Sequence, residues 1–197
     1  MTISEALEQK RRAEASRLLR LAHHEAGHAV ANHLAGGHVS WITLVPDGRR
    51  VGLTRTSIPR GVDLADVMVG YAAGAAATRV FGWPNPDQGA EDDARYELRC
   101  AIQLAHAQGR GKATDPEYLQ AVVDAGRREA LRLVQEHWQA IDALAHVLVR
   151  DLRVGGTEEV GAIIDRALLK VPAYAAREAA FVAQWDRAMV TLGFVRP

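Results

Sequence analysis

Within the run AHHEAGHAVA, residues 22–31, the histidines His24 and His28 stand four positions apart, with Glu25 beside the first. On a helix, positions i and i+4 are neighbours on one face, about 5–6 Å apart at Cβ. Two imidazoles so placed can close on one metal ion at about 2.0–2.1 Å from each nitrogen. Glu25 then lies beside such an ion rather than on it, where a carboxylate can take a proton from a metal-activated water. This is the H-E-x-x-H arrangement of zinc hydrolysis. The competing reading is a helix with three polar residues on its surface.

A hydrolytic zinc needs a third protein ligand and an open fourth position. No H-x-x-G-x-x-H continuation follows: the chain reads Ala29-Val30-Ala31-Asn32-His33, and His33, five residues past His28, faces elsewhere and reads as structural. His38, His106, His137 and His146 stand alone. The acidic run Glu91-Asp92-Asp93 offers three carboxylates. Each of them would also suit a helix start through the helix dipole, so the pattern leaves the three open. A cysteine-based metal site is excluded, because Cys100 is the single cysteine. It sits in an apolar helical pattern and reads as a small buried hydrophobe in a reducing compartment.

These residues need a scaffold, and its pattern is mainly helical. Helix formers run from residue 4 to the stop at Gly36-Gly37, with Leu18, Leu21, Ala22 and Val30 as a buried stripe. Gly27 sits inside that helix at a cost of about 1 kcal/mol relative to Ala, which close approach of another helix or of substrate would explain. Two β-rich runs follow, residues 39–45 and 51–56, joined by Pro46-Asp47-Gly48, and predict a hairpin. Helices are expected over residues 62–81 and 90–108. A long one from Asp115-Pro116 to about 153, with a break near His137-Trp138, comes next, then one from 157 to about 170 and a last from 173 to 192. The fold class is α+β, mostly α-helical, with a small sheet near residues 39–56. A domain over 1–170 and a helical extension over 171–197 are expected; Tyr174, Phe181, Trp185 and Met189 of the extension recur at helical spacing.

Composition narrows the partners. The chain has 24 basic and 24 acidic residues and a formal net charge of zero, which gives no electrostatic case for nucleic acid or acidic lipid. Lys10-Arg11-Arg12 lies among glutamates and reads as a solvated helix face. The most apolar stretch, residues 67–77, is too short for a membrane span, and the first residues lack an apolar leader. A cytoplasmic protein is expected.

The run HHEAGHAVA resembles the H-E-A-G-H-A segment of the FtsH-type zinc metalloproteases. Further segments are similar in the same order. ITLVPDGRRVGLTRT resembles the family's V-T-I-I-P-R-G-x-A-L-G-Y-T, and GYAAGAAATRVFG its L-A-G-R-A-A-E-E-x-x-F-G. QGAEDDARYELRCAIQLA resembles T-G-A-S-N-D-L-x-x-A-T-x-x-A-x-x-M-V, and EALRLVQEHWQAIDALAHVLV a later family helix. Together they cover about residues 18–168. The resemblance implies a helical metalloprotease domain that cuts polypeptides with Zn2+. It implies His24 and His28 as metal ligands, Glu25 as catalytic base, and Asp93 as the third ligand, since Asp93 falls on the Asp of G-A-S-N-D. Two histidines and an aspartate suit zinc best, although iron, cobalt and nickel accept similar sets.

The departures bear on function. The chain holds no G-x-x-x-x-G-K-[ST] phosphate loop, GRGKAT lacking its spacing, and no counterpart of the family's membrane anchor. Thr78-Arg79 stand about where the family carries Glu-Glu. The expectation is an ATP-independent endopeptidase for flexible or unfolded segments, or one served by a separate ATPase or adaptor. The family's rings leave a homo-oligomer open. The alternative is a catalytically inactive, metal-stabilised binding or regulatory module of the same fold.

Overall fold

The computed structural model describes residues 3–46, 52–59, 61–82, 88–108 and 112–169. Helix α1 (Ile3–Leu34) has two characters. From Glu5 to Arg17 its side chains are exposed apart from Ala6, and Arg12 donates to Glu8 at 3.1 Å, as a solvated face should. From Leu18 onward it turns Ala22, Ala26, Ala29 and Val30 into the core at helical spacing, with Leu18 and Leu21 at the margin. The helix runs out just before Gly36, which takes a left-handed φ of 76°.

The chain then forms β1 (His38–Thr43) and β2 (Leu53–Ser57), paired antiparallel with Ile42 opposite Thr54 and Trp41 opposite Arg55. The expected connecting turn lies outside the described residues. A third strand, β3 (Arg153–Gly155), completes the order β2-β1-β3, with Val154 opposite Ile42. The sequence pattern predicts the hairpin but not this third strand. Ile42 and Val154 are buried, so the inner rung of the sheet reads Thr54, Ile42, Val154. β2 is an edge strand of this sheet.

Helix α2 (Leu64–Val80) is capped by Asp63, whose side chain accepts from the Ala65 amide at 3.0 Å. It is buried nearly all round, by Ala65, Met68, Val69, Ala72, Ala73, Ala76 and Ala77, and so is the central helix of the molecule. That accounts for the most apolar stretch of the sequence, and no described helix is long and apolar enough to cross a membrane. Around α2 stand α3 (Gln88–Gln108), α4 (Pro116–Glu136), α5 (Trp138–Asp151) and α6 (Thr157–Leu168). Asp115 caps α4 through the amides of Glu117 and Tyr118, with Pro116 at its first turn, and α4 gives way to α5 at His137 as the sequence predicts.

Two apolar clusters hold these elements. The larger joins α1, α2, α4, α5, α6 and the sheet. The smaller packs Met68 of α2 against Cys100, Ala101 and Leu104 of α3 and Val122 and Val123 of α4, and burial pushes the Cys100 thiol up from its ordinary value. The α+β, mostly helical class is what the molecule shows. The expected extension over 171–197 lies outside the described residues.

Candidate metal centre

The centre sits where α1 meets α2 and α3. Helices α1 and α2 come close at Gly27, where a Cβ would stand 2.5 Å from the Ala73 carbonyl oxygen and 2.9 Å from the Ala77 methyl. The mid-helix glycine is thus explained by a neighbouring helix. One turn along α2, Gly74 does the same for the imidazoles: a methyl there would overlap the His28 ring and come within 2.8 Å of His24 Nε2.

Into this space His24 and His28 bring their Nε2 atoms to 3.0 Å of one another. Asp93 Oδ2, reaching over from α3, lies 3.1 Å from the first and 3.2 Å from the second. His28 donates from Nδ1 to the Gly70 carbonyl at 2.8 Å, which turns its Nε2 toward the cluster. Asp93 lies in the second turn of α3, beyond the reach of a simple helix-end role. Its neighbour Asp92 is exposed and pairs with Arg95 at 3.4 Å, while the Glu91 side chain lies outside the described residues. Of the acidic run, the structure brings Asp93 to the histidines.

Burial pulls the His28 imidazole down, but the Asp93 charge and hydrogen bond outweigh it and raise it to about 9. Burial pushes the Asp93 carboxyl up, yet His28 and His24 hold it well below the usual carboxylate range. The two shifts are the two sides of one attraction between the imidazoles and the Asp93 carboxylate. The donor chemistry fits a metal. Bonds of about 2.0–2.1 Å in a tetrahedron put ligand atoms about 3.3 Å apart, close to the spacings found here. Among the described residues the group contains three donors, His24, His28 and Asp93, the number a catalytic zinc takes where a structural zinc takes four.

Glu25 is buried, with 5% of its surface exposed. The Thr54 hydroxyl of β2 lies 2.6 Å from its Oε2 and 3.0 Å from its backbone carbonyl. A cleft of about 680 Å³ opens over the cluster, walled by β2 on one side and by the stacked rings of Tyr71 and Tyr96, 4.9 Å apart, on another. The remaining histidines go elsewhere. His33 contacts Asp165 of α6 at 2.8 Å, His146 donates to the Asp142 carbonyl, His137 ends α4, and His38 and His106 are exposed. Sequence reasoning missed Gly74 and Thr54. Both lie in quoted segments, but their roles depend on contacts between elements far apart in the chain.

A family model described as Peptidase M50B-like matches residues 6–85, which include His24, Glu25 and His28 and end before Asp93. The chain is similar to the ATP-dependent zinc metalloprotease FTSH 6, chloroplastic, of Oryza sativa subsp. japonica, 29% identical over 179 residues that cover 70% of this chain and 26% of that protein. It is also similar to the ATP-dependent zinc metalloprotease FTSH 2, chloroplastic, of the same organism, 37% identical over 93 residues that cover 43% of this chain and 14% of the relative. The matched regions thus span about a quarter or less of these relatives. The family description and the relatives' names thus point in one direction, to metallopeptidases, over the matched stretches.

Proposed function

We propose that the protein is a zinc-dependent endopeptidase with His24, His28 and Asp93 as metal ligands and Glu25 as general base. The observation that carries it is the convergence of His24 Nε2, His28 Nε2 and Asp93 Oδ2 within 3.0–3.2 Å at the floor of an open cleft, beside a buried carboxylate. Zinc, when bound, supplies Lewis acidity and lowers the pKa of water to about 7. Glu25 takes the proton of the attacking water and returns it to the leaving amine, as one group acting first as base and then as acid. The two imidazoles and Asp93 fix the place of reaction, and the Gly70 carbonyl fixes the face that His28 presents.

The substrate in this reading is an extended polypeptide. It lies along the cleft-lining edge of β2 and adds a strand to the sheet through main-chain hydrogen bonds. Such a segment must be flexible or unfolded before it can be cut. We further propose that these 197 residues cleave without ATP, a separate ATPase or adaptor being needed only for folded targets, and that a reducing, cytoplasmic setting suits the single buried Cys100.

The test is to purify the wild type and Glu25→Gln side by side, measure bound metal by elemental analysis, and follow casein cleavage without ATP. Zinc in both with cleavage by the wild type alone supports the proposal. Zinc in both with no cleavage by either favours the metal-stabilised binding module. Absence of zinc from protein prepared without chelators overturns the metal assignment.

A further inference from the structure

The geometry points to the segment Gly52–Thr54, which leads into the edge strand β2, as a cradle that positions the Glu25 carboxylate. The inference rests on Glu25 acting as the base. Two independent contacts make the cradle. The Thr54 hydroxyl lies 2.6 Å from Glu25 Oε2 and is the carboxylate's hydrogen-bond donor among the described residues. A Cβ on Gly52 would stand 2.8 Å from Glu25 Oε1 and 2.9 Å from Leu21 Cδ1, so the carboxylate lies against the Gly52 backbone. One oxygen is therefore held by a hydroxyl, while the other has room because position 52 has no side chain. Oε1 has no hydrogen-bond donor among the described residues and keeps its lone pairs for the proton of the attacking water.

The side chain of Thr54 faces inward on the same rung as buried Ile42 and Val154, so the hydroxyl is fixed by the sheet rather than by its own rotamer freedom. Thr54 is a positioning residue here. It acts through Glu25. The arrangement has a consequence for substrate. The strand proposed to receive the polypeptide is the strand that holds the base, so docking along β2 and alignment of Glu25 depend on the same short backbone segment.

The test uses Thr54→Val, Thr54→Ser and Gly52→Ala in the full chain. Valine keeps the volume and removes the hydroxyl. The Gly52 φ lies outside the left-handed region, so alanine is tolerated by the backbone and acts by displacing the flexible ends of Glu25 and Leu21. The expected result is a kcat for Thr54→Val lower by roughly 10- to 100-fold, the size of effect that a misplaced reacting group produces. KM and zinc content should hold, the thermal midpoint should fall only by what one lost buried hydrogen bond costs, Thr54→Ser should recover most of the rate, and Gly52→Ala should also lower kcat. An unchanged kcat in Thr54→Val, or a loss that follows zinc or folding and is not recovered by serine, overturns the cradle.

A second readout needs no turnover. The infrared difference between wild type and Glu25→Gln isolates the Glu25 carboxylate stretch, which should shift in the Thr54→Val background. If the wild type cleaves nothing, the peptidase reading fails and the infrared result alone decides the cradle: a shift sustains it and an unmoved band overturns it.

Discussion

His28 donates its Nδ1 proton to the carbonyl oxygen of Gly70 across 2.8 Å, so that a peptide group inside α2 sets the orientation of a side chain on α1. This tie, with Gly74 clearing the space beside it, leaves the His28 Nε2 atom directed at His24 Nε2 and Asp93 Oδ2. The first prediction follows from the shared position of the three donors. His24→Ala, His28→Ala and Asp93→Ala should each be purified with far less zinc than the wild type. A metal that binds the folded state alone adds about 2.7 kcal/mol when present at a hundredfold over its Kd. The wild-type thermal midpoint should therefore fall on adding EDTA, while those of the variants should not move. Full zinc in Asp93→Ala would assign the third ligand to another residue.

The second prediction separates two glycines of similar appearance. At Gly27, alanine should gain about 1 kcal/mol of helix propensity. It would also drive a methyl to 2.5 Å from the Ala73 carbonyl oxygen, a backbone atom held in its own helix, and overpacking of this kind costs about 1–3 kcal/mol. The steric cost should win, and urea unfolding of Gly27→Ala should show a net loss of stability. At Gly74 the clash is with the His28 and His24 rings, which can rotate away. Gly74→Ala should keep its fold and lose zinc. A Gly74→Ala protein with full zinc content would refute the role given to that glycine.

What the sequence makes legible depends on the range of each signal. Helices announced by local chemistry, such as α4 with its Asp115 cap and Pro116, were legible, as was the break at His137. β3 was not. The turn into it is made by Leu152 at φ 59°, a left-handed leucine whose carbonyl accepts from the Leu44 amide at 2.8 Å, and nothing local in a leucine announces either fact. The His24, Glu25 and His28 spacing was legible because one helix carries it. Asp93 could be singled out through resemblance alone, since its placement depends on how α3 packs. Thr54 and Gly74 act across elements and have no local signature.

A third prediction concerns His23, next to the candidate ligand yet turned the other way. Its ring is fully buried and packs against both Phe81 and Trp138, with centroids 4.3 and 5.0 Å away. Nδ1 lies 2.8 Å from the Leu19 carbonyl, and Nε2 lies 3.1 Å from Asp142 Oδ1 on α5. The stack fixes the rotation of α1 about its axis, and with it the direction in which His24 points. Truncating a buried aromatic side chain costs about 3–5 kcal/mol, and His23→Ala should approach the lower end of that range in urea unfolding. A change below about 0.5 kcal/mol, the range of ordinary surface substitutions, would show that the stack does not anchor α1.

The last prediction lies on α3, one turn beyond Asp93. Glu97 is 3% exposed, and its Oε2 accepts from Arg127 Nε of α4 at 2.6 Å, a pair that ties the helix carrying Asp93 to its neighbour. Burial pushes the Glu97 carboxyl up from its ordinary value, and Arg127 only partly opposes the shift. A carboxyl raised in the folded state binds more protons folded than unfolded, so its contribution to stability falls as pH rises from the ordinary glutamate value through the raised one. Arg127→Ala removes the opposing cation and should widen that fall. The loss should sit below the roughly 3–5 kcal/mol of a fully buried broken pair, because Arg127 is 48% exposed and solvent screens it. Denaturation of Arg127→Ala should therefore show a deficit near pH 7.5 that shrinks near pH 5, and adding Glu97→Gln should remove much of the deficit at the higher pH. A deficit equal at both pH values and untouched by Glu97→Gln would mean that Arg127 stabilises α4 through packing of its aliphatic stem rather than through the charge on Glu97.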